Sequence, residues 1–293
     1  TEKGYPRMNI KKYKVTSGKG FRLSDYETKE TGGFESAADV QDAAGKNKEE
    51  LAELQSRLYA EGKTAVLIIF QAMDAAGKDS SIKHVMSGVN PQGVDVYSFK
   101  QPSAEELSHD YLWRAAKELP SRGKIGIFNR SYYEDVLVVK VHKLYESQNL
   151  PDRCKGGDTI AKRYKQIRHF EDYLWENGVV TVKFFINLSK ETQRKRFLER
   201  IDQKDKNWKF SEADIKERQF WDDYQDAYQR AIKATATEKN PWYVVPADKK
   251  WYTQYVISEV LLNVMKDINP KYPELTPEGR QALEECRKAL EEN

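Results

Sequence analysis

Residues 71–81 read Gln-Ala-Met-Asp-Ala-Ala-Gly-Lys-Asp-Ser-Ser, and Asp74, Gly77, Lys78 and Asp79 among them are types that handle phosphate. A Gly-Lys pair that follows small residues and opens a helix offers backbone N–H groups and a point charge to an anion. The usual pattern is G-x-x-x-x-G-K-[ST]. Here Ala72 stands where the first glycine would be, and Asp79 where the hydroxyl would be. The stretch is therefore a P-loop with two departures. Ala75, Ala76, Gly77, Asp79 and Ser80 are its expected phosphate-binding positions, and Lys78 is expected to reach the phosphate oxygens. Asp74 has two readings: a metal-binding or positioning carboxylate, or a turn residue bonded to its own loop. Asp79 is open between metal binding and stabilising the helix start.

A second group follows a short apolar run: Phe128-Asn129-Arg130-Ser131-Tyr132-Tyr133-Glu134-Asp135. In an open parallel sheet, ligands bind beyond the C-terminal strand ends, so this segment is expected to face the loop. The Arg130 fork can grip two phosphate oxygens. Asn129 occupies a place where many P-loop enzymes carry a magnesium-shell carboxylate. Glu134 and Asp135 then serve metal or nucleotide, or are simply first-turn acids of a helix. Tyr132 is the aromatic best placed for a nucleotide contact. A third group is basic: Arg194, Lys195, Arg196, Arg200, Lys204, Lys206 and Lys209. Arg196 and Arg200, four apart, share a helix face, and a mobile basic segment at this point would close over transferring phosphate. Lys162, Lys165 and Arg168 form a weaker polyanion track.

These groups need a scaffold. Strands are expected at 64–70, 94–99, 124–128, 179–188 and 242–246. Helices are expected at 47–61, 78–88, 103–119, 132–145, 158–177, 189–202, 211–234, 250–267 and 276–291. Leu51, Leu54, Leu58 and Tyr59 mark one helical face. Ser103 with Glu106 makes a capping box, and Ser189 and Ser211 are N-cap candidates. Strands separated by helices of this length specify a parallel sheet with right-handed crossovers. The expectation is an α/β P-loop fold, a five-stranded parallel sheet between helices with a helical lid. An arm over 1–45, a P-loop domain over 46–270 with a lid at about 196–220, and a C-terminal helix over 271–293 complete it, and the resemblance described below implies that the P-loop domain is a kinase domain.

The chain has 293 residues, with 49 basic and 46 acidic side chains giving a net charge of +3. That near balance does not mark a nucleic-acid binder, and the basic residues are not interleaved with aromatics. No apolar run approaches the roughly 18 residues a membrane span needs. The two cysteines lack metal-type spacing, and the N-terminus lacks a signal-peptide core. A cytoplasmic protein binding neither membrane nor nucleic acid is expected.

Three long stretches carry a family resemblance. They are Gln71 to Asp79, Phe128 to Leu137, and Arg196-Phe-Leu-Glu-Arg-Ile201 with Asn207-Trp-Lys-Phe-Ser211. Ser108 to Arg114 and Pro241 to Asp248 agree as well. Together they resemble the polyphosphate kinase 2 family over roughly 50–265. The resemblance implies a Mg²⁺-dependent phosphotransfer between inorganic polyphosphate and nucleotides, in a homo-oligomer. It implies Asp74 and Lys78 in Walker A roles, Arg130 on phosphate, and Arg200 with Arg196 acting from the lid. Asp74, Lys78, Arg130, Asp135 and Arg200 are then the catalytic set, and Asp74 with Asp135 the metal pair. Ala75, Ala76, Gly77, Asp79, Ser80, Asn129, Glu134, Arg196 and Lys209 bind nucleotide or polyphosphate. The Asn-Arg-Ser-x-Tyr-Glu form is similar to the class III branch, whose members phosphorylate AMP and ADP. Two other readings stay open: an ATP-dependent nucleoside monophosphate kinase resembling thymidylate kinase, and a non-catalytic polyphosphate or nucleotide sensor.

Overall fold

The computed structural model describes residues 8–292. In chain order the elements are β1 (Lys14–Val15), α1 (Gln41–Glu61), β2 (Ala65–Ala72), α2 (Lys78–Val85), β3 (Val94–Ser98), α3 (Ala104–Ser108) and α4 (Trp113–Lys117). There follow β4 (Ile125–Asn129), α5 (Val138–Val141), α6 (Thr159–Glu176), β5 (Val179–Asn187), α7 (Lys190–Asp202) and α8 (Glu212–Glu217). The chain ends with α9 (Trp221–Thr235), β6 (Trp242–Pro246), α10 (Lys250–Ile268) and α11 (Pro277–Glu291).

The sheet runs in the order β1-β6-β5-β2-β4-β3. All neighbours are parallel except β1, which joins β6 antiparallel. The five expected strands are all present, and a sixth, too short to show as a sequence pattern, comes from the arm. β2 is buried along its whole length. Val66, Ile68 and Phe70 enter one core, with α1, α2 and α10; Leu67 and Ile69 enter the other, with α6 and α9. Alternation of side chains across a strand covered on both faces explains why the run is apolar without a gap. Each of these residues contributes about 1.5–3 kcal/mol by leaving water.

Several expectations change in detail. The arm is packed into the body from Met8 onward: Tyr13 and Tyr252 hydroxyls meet at 2.6 Å, and Thr28 Oγ1 donates to Asp248 at 2.9 Å. Its first seven residues, and Asn293, lie outside the described residues. The expected boundary at 45/46 falls inside α1, because Gly45 and the polar residues around it hide a helix that already starts at Gln41. Leu51, Leu54 and Leu58 are buried as expected, but Tyr59 is exposed. The single helix expected over 103–119 is split by residues 109–112 into α3 and α4, although the Ser103–Glu106 capping box forms. Residues 132–145 are two 3-10 turns around the four-residue α5. The 211–234 helix is broken by a 3-10 turn at Arg218–Phe220, and Ser211 makes no side-chain cap. Ser189 caps α7 through Thr192 N as expected. Trp175 of α6 is 40% exposed. Among the described residues, no helix is long and apolar enough to cross a membrane.

Candidate active site

Register brings the two key segments together. Phe70 of β2 pairs with Asn129 of β4, Asn129 pairs with Ser98 of β3, and Arg130 N donates to Phe70 O at 3.0 Å. The loop after β2 and the turn after β4 therefore open side by side at the C-terminal sheet edge. Between them and α7 lies a cavity of about 700 Å³. Its walls carry eight basic side chains (Lys78, Lys100, Arg130, Arg196, Arg200, Lys206, Lys209, Lys250) and three acidic ones (Asp74, Asp79, Glu199). Such a wall suits a polyanion.

The loop turns at Ala75 (φ +62°) and Gly77 (φ +102°), both left-handed. Ala72, the glycine replacement, is still in the strand and needs no unusual angle. Alanine is tolerated at 75 because α7 holds the loop. Gln193 Nε2 donates to Asp74 O at 3.0 Å, and Arg196 Nη1 donates to Ala75 O at 3.0 Å and Ala76 O at 2.8 Å. Arg196 Nη2 also reaches Ala247 O at 2.7 Å, so this buried guanidinium ties the loop to the end of β6. With three consecutive loop carbonyls occupied by α7, the first N–H groups of α2 remain for an anion. Ser80 Oγ donates back to Gly77 O at 2.9 Å.

Arg130 also has positive φ, +63°. Its Nη2 meets Asp74 Oδ1 at 2.8 Å, with 41% and 26% of the side chains exposed. Asn129 Nδ2 donates to Asp79 Oδ1 at 2.7 Å, so the neutral residue orients a carboxylate of the loop helix. Lys78 is pushed below the ordinary lysine range, first by loss of water and then by the Arg130 charge; Asp74, Glu134 and Asp79 oppose this. Arg200 meets Asp214 of α8 at 3.2 Å, and Asn207 Nδ2 closes the end of α7 on the carbonyls of Arg200 and Ile201 at 2.8 Å. Asp214 is raised above the ordinary carboxyl range by burial and by Asp74, against the pull of Arg200 and Arg130.

Of the expected site residues, Asp74 to Asp79, Ser80, Asn129, Arg130, Arg196, Arg200 and Lys209 all line the cavity or its loop; Glu134 and Asp135 do not. Glu134 accepts from Gln71 Nε2 at 2.8 Å, and its charge acts on Lys78 and Arg130 without lining the cavity. Asp135 is buried against Arg163 at 3.4 Å, where burial pushes its carboxyl up to about 6. Asp74 and Asp135 are thus not brought to a common metal position. Tyr132 is fully buried and donates to Glu171 at 3.0 Å, which corrects its reading as a nucleotide contact. Lys162 is paired with Asp158, and Lys165 and Arg168 are exposed on α6, outside the cavity lining.

A divalent cation fits the donor set in a different combination. Asp74 and Asp79 both reach the cavity, and only one oxygen of each is engaged by Arg130 and Asn129. Mg²⁺ at a phosphate site needs one or two protein carboxylates, the remaining positions going to phosphate and water. Reading from sequence missed Lys100, Gln101, Gln193, Asp214 and Lys250. Lys100 and Gln101 follow directly on β3, so the strand-end rule pointed to them. Gln193 lies one turn before Arg196 on the same face of α7.

Comparison with known proteins gives the family and the fold. The family model described as polyphosphate kinase 2 matches residues 35–273. An ADP-polyphosphate phosphotransferase of Rhodopseudomonas palustris is 48% identical over 286 residues, 97% of this chain and 99% of the relative. An AMP/ADP-polyphosphate phosphotransferase of Meiothermus ruber is 43% identical over 266 residues, 90% and 96% of the two chains. The crystal structure of polyphosphate kinase 2 from Arthrobacter aurescens TC1 superposes with a TM-score of 0.86 at 38% identity, covering 94% of this chain and 96% of that one. The chain belongs to the polyphosphate kinase 2 family.

Proposed function

We propose that this chain transfers phosphate from inorganic polyphosphate to AMP and ADP, with Mg²⁺, and that it can run in reverse from nucleotide to polyphosphate. The observation that carries the reading is the cavity wall, where eight cationic side chains meet two carboxylates that reach the same space from the loop and from the start of α2. Two polyanions have to be brought end to end for this reaction, and neither would approach the other without such a wall. Names of the relatives supply the donor and acceptors.

Lys78 and the first N–H groups of α2 hold phosphate oxygens, and Arg130 bridges the transferring group with its two-pronged donor. Arg130 leaves Asp74 as phosphate arrives, which frees a carboxylate to meet the cation. Asp74 and Asp79 would hold Mg²⁺, which when bound neutralises and aligns phosphate oxygens. Arg200, Lys206 and Lys209 approach from the lid, here residues of α7, α8 and the turn between them, and offset charge as it develops. Lys100 and Lys250 extend the cationic wall to either side. Arg196 works on the loop itself through three backbone carbonyls. Catalysis is positioning and electrostatics, with no covalent intermediate on the protein.

The test is ADP and ATP formation measured with AMP or ADP as acceptor and polyphosphate or ATP as donor. Polyphosphate-driven formation of both products is expected. Transfer from ATP alone would establish the nucleoside monophosphate kinase reading. Tight binding of polyphosphate or nucleotide with no turnover would establish the sensor.

A further inference from the structure

Behind the turn that carries Arg130 lies a charged pair that the reaction itself does not use. Lys183, midway along β5, is fully buried, as is Glu171 of α6. The Lys183 ammonium is paired with Glu171 Oε2 and donates to the Tyr133 hydroxyl at 3.1 Å and to Thr235 O, at the end of α9, at 3.0 Å. All three of its donors are thus occupied. Glu171 Oε1 accepts from the Tyr132 hydroxyl at 3.0 Å and from that of Tyr133 at 2.7 Å. The network is complete, and it fastens β5, α6 and α9 to two consecutive residues of the turn after β4.

A buried ion pair is a weak source of stability, since well-packed apolar residues often replace it at no loss. What it supplies is a fixed position, and the residue that needs one is two places upstream. Arg130 is held in the left-handed region, which non-glycine residues occupy only when their surroundings over-determine them. On its upstream side Arg130 N is bonded to Phe70 O. On its downstream side, Ser131 Oγ donates to Gln71 Oε1 and accepts from Tyr133 N, and the two tyrosines are pinned by Glu171.

We propose that Glu171 and Lys183 are positioning residues that lock the 130–134 turn through Tyr132 and Tyr133, and so hold the Arg130 guanidinium at the cavity. The proposal rests on the phosphate-binding role given above to Arg130.

The test uses the full chain with Glu171→Leu/Lys183→Met together, so that no buried charge is left unpaired. Thermal melting, kcat and KM for polyphosphate-driven ATP formation, and amide exchange of residues 130–134 are measured. The double variant is expected to melt several degrees below the parent, because the Tyr132 and Tyr133 hydroxyls and Thr235 O lose partners. It is expected to stay folded at assay temperature while kcat falls about 100-fold, the scale of a 1 Å misplacement, with KM for nucleotide little changed. Exchange in the 130–134 turn is expected to rise about tenfold or more, while β2 keeps its protection. Parental kcat, or a kcat that falls only in proportion to the folded fraction, overturns the proposal, as does unchanged exchange in the turn.

Should the double variant fail to fold, Tyr132→Phe/Tyr133→Phe removes both hydroxyl tethers and keeps the ring packing. A kcat loss of about tenfold with faster turn exchange supports the proposal, and kcat within about twofold of the parent overturns it. The exchange measurement needs no turnover. If the parent shows no polyphosphate-driven transfer, the functional reading fails while exchange still decides whether the clamp exists.

Discussion

Arg130 and Asp74 meet at 2.8 Å on the cavity wall with 41% and 26% of their side chains exposed, whereas Lys183 and Glu171 meet in the interior with 0% and 1% exposed. The two pairs flank one turn and differ in what surrounds them. Water screens the first, so it is worth only about 0–1 kcal/mol and its partners can be exchanged. The second is desolvated, and removing one partner leaves a buried charge at a cost of about 3–5 kcal/mol. A phosphate oxygen can therefore replace Asp74 on Arg130 at little expense, while nothing can replace Glu171 on Lys183. The proposed function uses the pair that can be broken, and the proposed positioning uses the pair that cannot.

The largest expected effect breaks the outer pair. Arg130→Ala and Lys78→Ala each lower kcat by about 10³-fold or more, as loss of a phosphate-bridging cation does elsewhere. Melting should stay within about 2 °C of the parent, because the lost interaction is partly solvated. Steady-state assays beside thermal melts check both halves, and near-parental turnover in either variant would end the phosphate-binding assignment. Breaking the inner pair should give the opposite profile. Lys183→Met alone leaves Glu171 as an unpaired buried carboxylate, costing about 3–5 kcal/mol. In a chain of this size that is a fall in melting temperature of about 10 °C. If this variant melted like the parent, the interior pair would not be the rigid one.

Arg196 lies between these extremes, on the cavity lining yet buried, with its donors on Ala75, Ala76 and Ala247 carbonyls. Arg196→Lys keeps the charge but cannot reach three carbonyls in a plane. It should lower kcat by about 10–100-fold through loss of loop geometry. If instead it raised KM for polyphosphate and left kcat intact, Arg196 would be a binding cation and not a brace.

How much of this was legible in the sequence follows from what each feature depends on. The loop with Lys78 and the Arg130 turn could be read because each is a local pattern of strand, small residues and charge. Four of the parallel strands could be read from apolar runs, and β3 from alternation over 94–99. β1 could not, because a two-residue strand has no period and exists only through Tyr243 and Trp242 of β6. That Asp135 lies off the cavity lining could not be read for a similar reason. Asp135 follows Arg130 by five residues, but the intervening 3-10 turn rotates it inward to Arg163, and no local pattern tells that turn from a helix start. Lys183 was invisible too: within the apolar run 179–188, a lysine reads as a surface residue until α6 brings Glu171 over it. Pairings across about 12 to 230 residues of chain were the part that sequence did not carry.

Asp135 offers the last and smallest test, since it is a buried carboxylate with an imperfect partner. Its Oδ1 lies 3.4 Å from Arg163 Nη1, whose firmer bonds go to the Asp135 carbonyl at 3.1 Å and to Gln148 at 2.6 Å. Burial raises its carboxyl to about 6, with Arg163 and Arg114 pulling the other way. The folded state thus binds this proton more tightly than the unfolded chain, whose carboxyl titrates near 4. Protonated Asp135 is the stable form, so the stability it contributes is full below about pH 4 and is lost as pH rises toward 6. Asn imitates the protonated acid at every pH. Asp135→Asn should therefore match the parent near pH 4 and become more stable relative to it with rising pH, levelling off above about 6 at a gain of up to about 3 kcal/mol. Denaturant melts across that range measure the difference. The same variant should leave the proposed Mg²⁺ dependence unchanged, because Asp135 does not line the cavity that Asp74 and Asp79 share. A stability difference independent of pH would mean that Asp135 stays ionised beside Arg163. A raised Mg²⁺ requirement would return it to the metal and would place the 130–135 turn, and not only Arg130, among the parts that move during turnover.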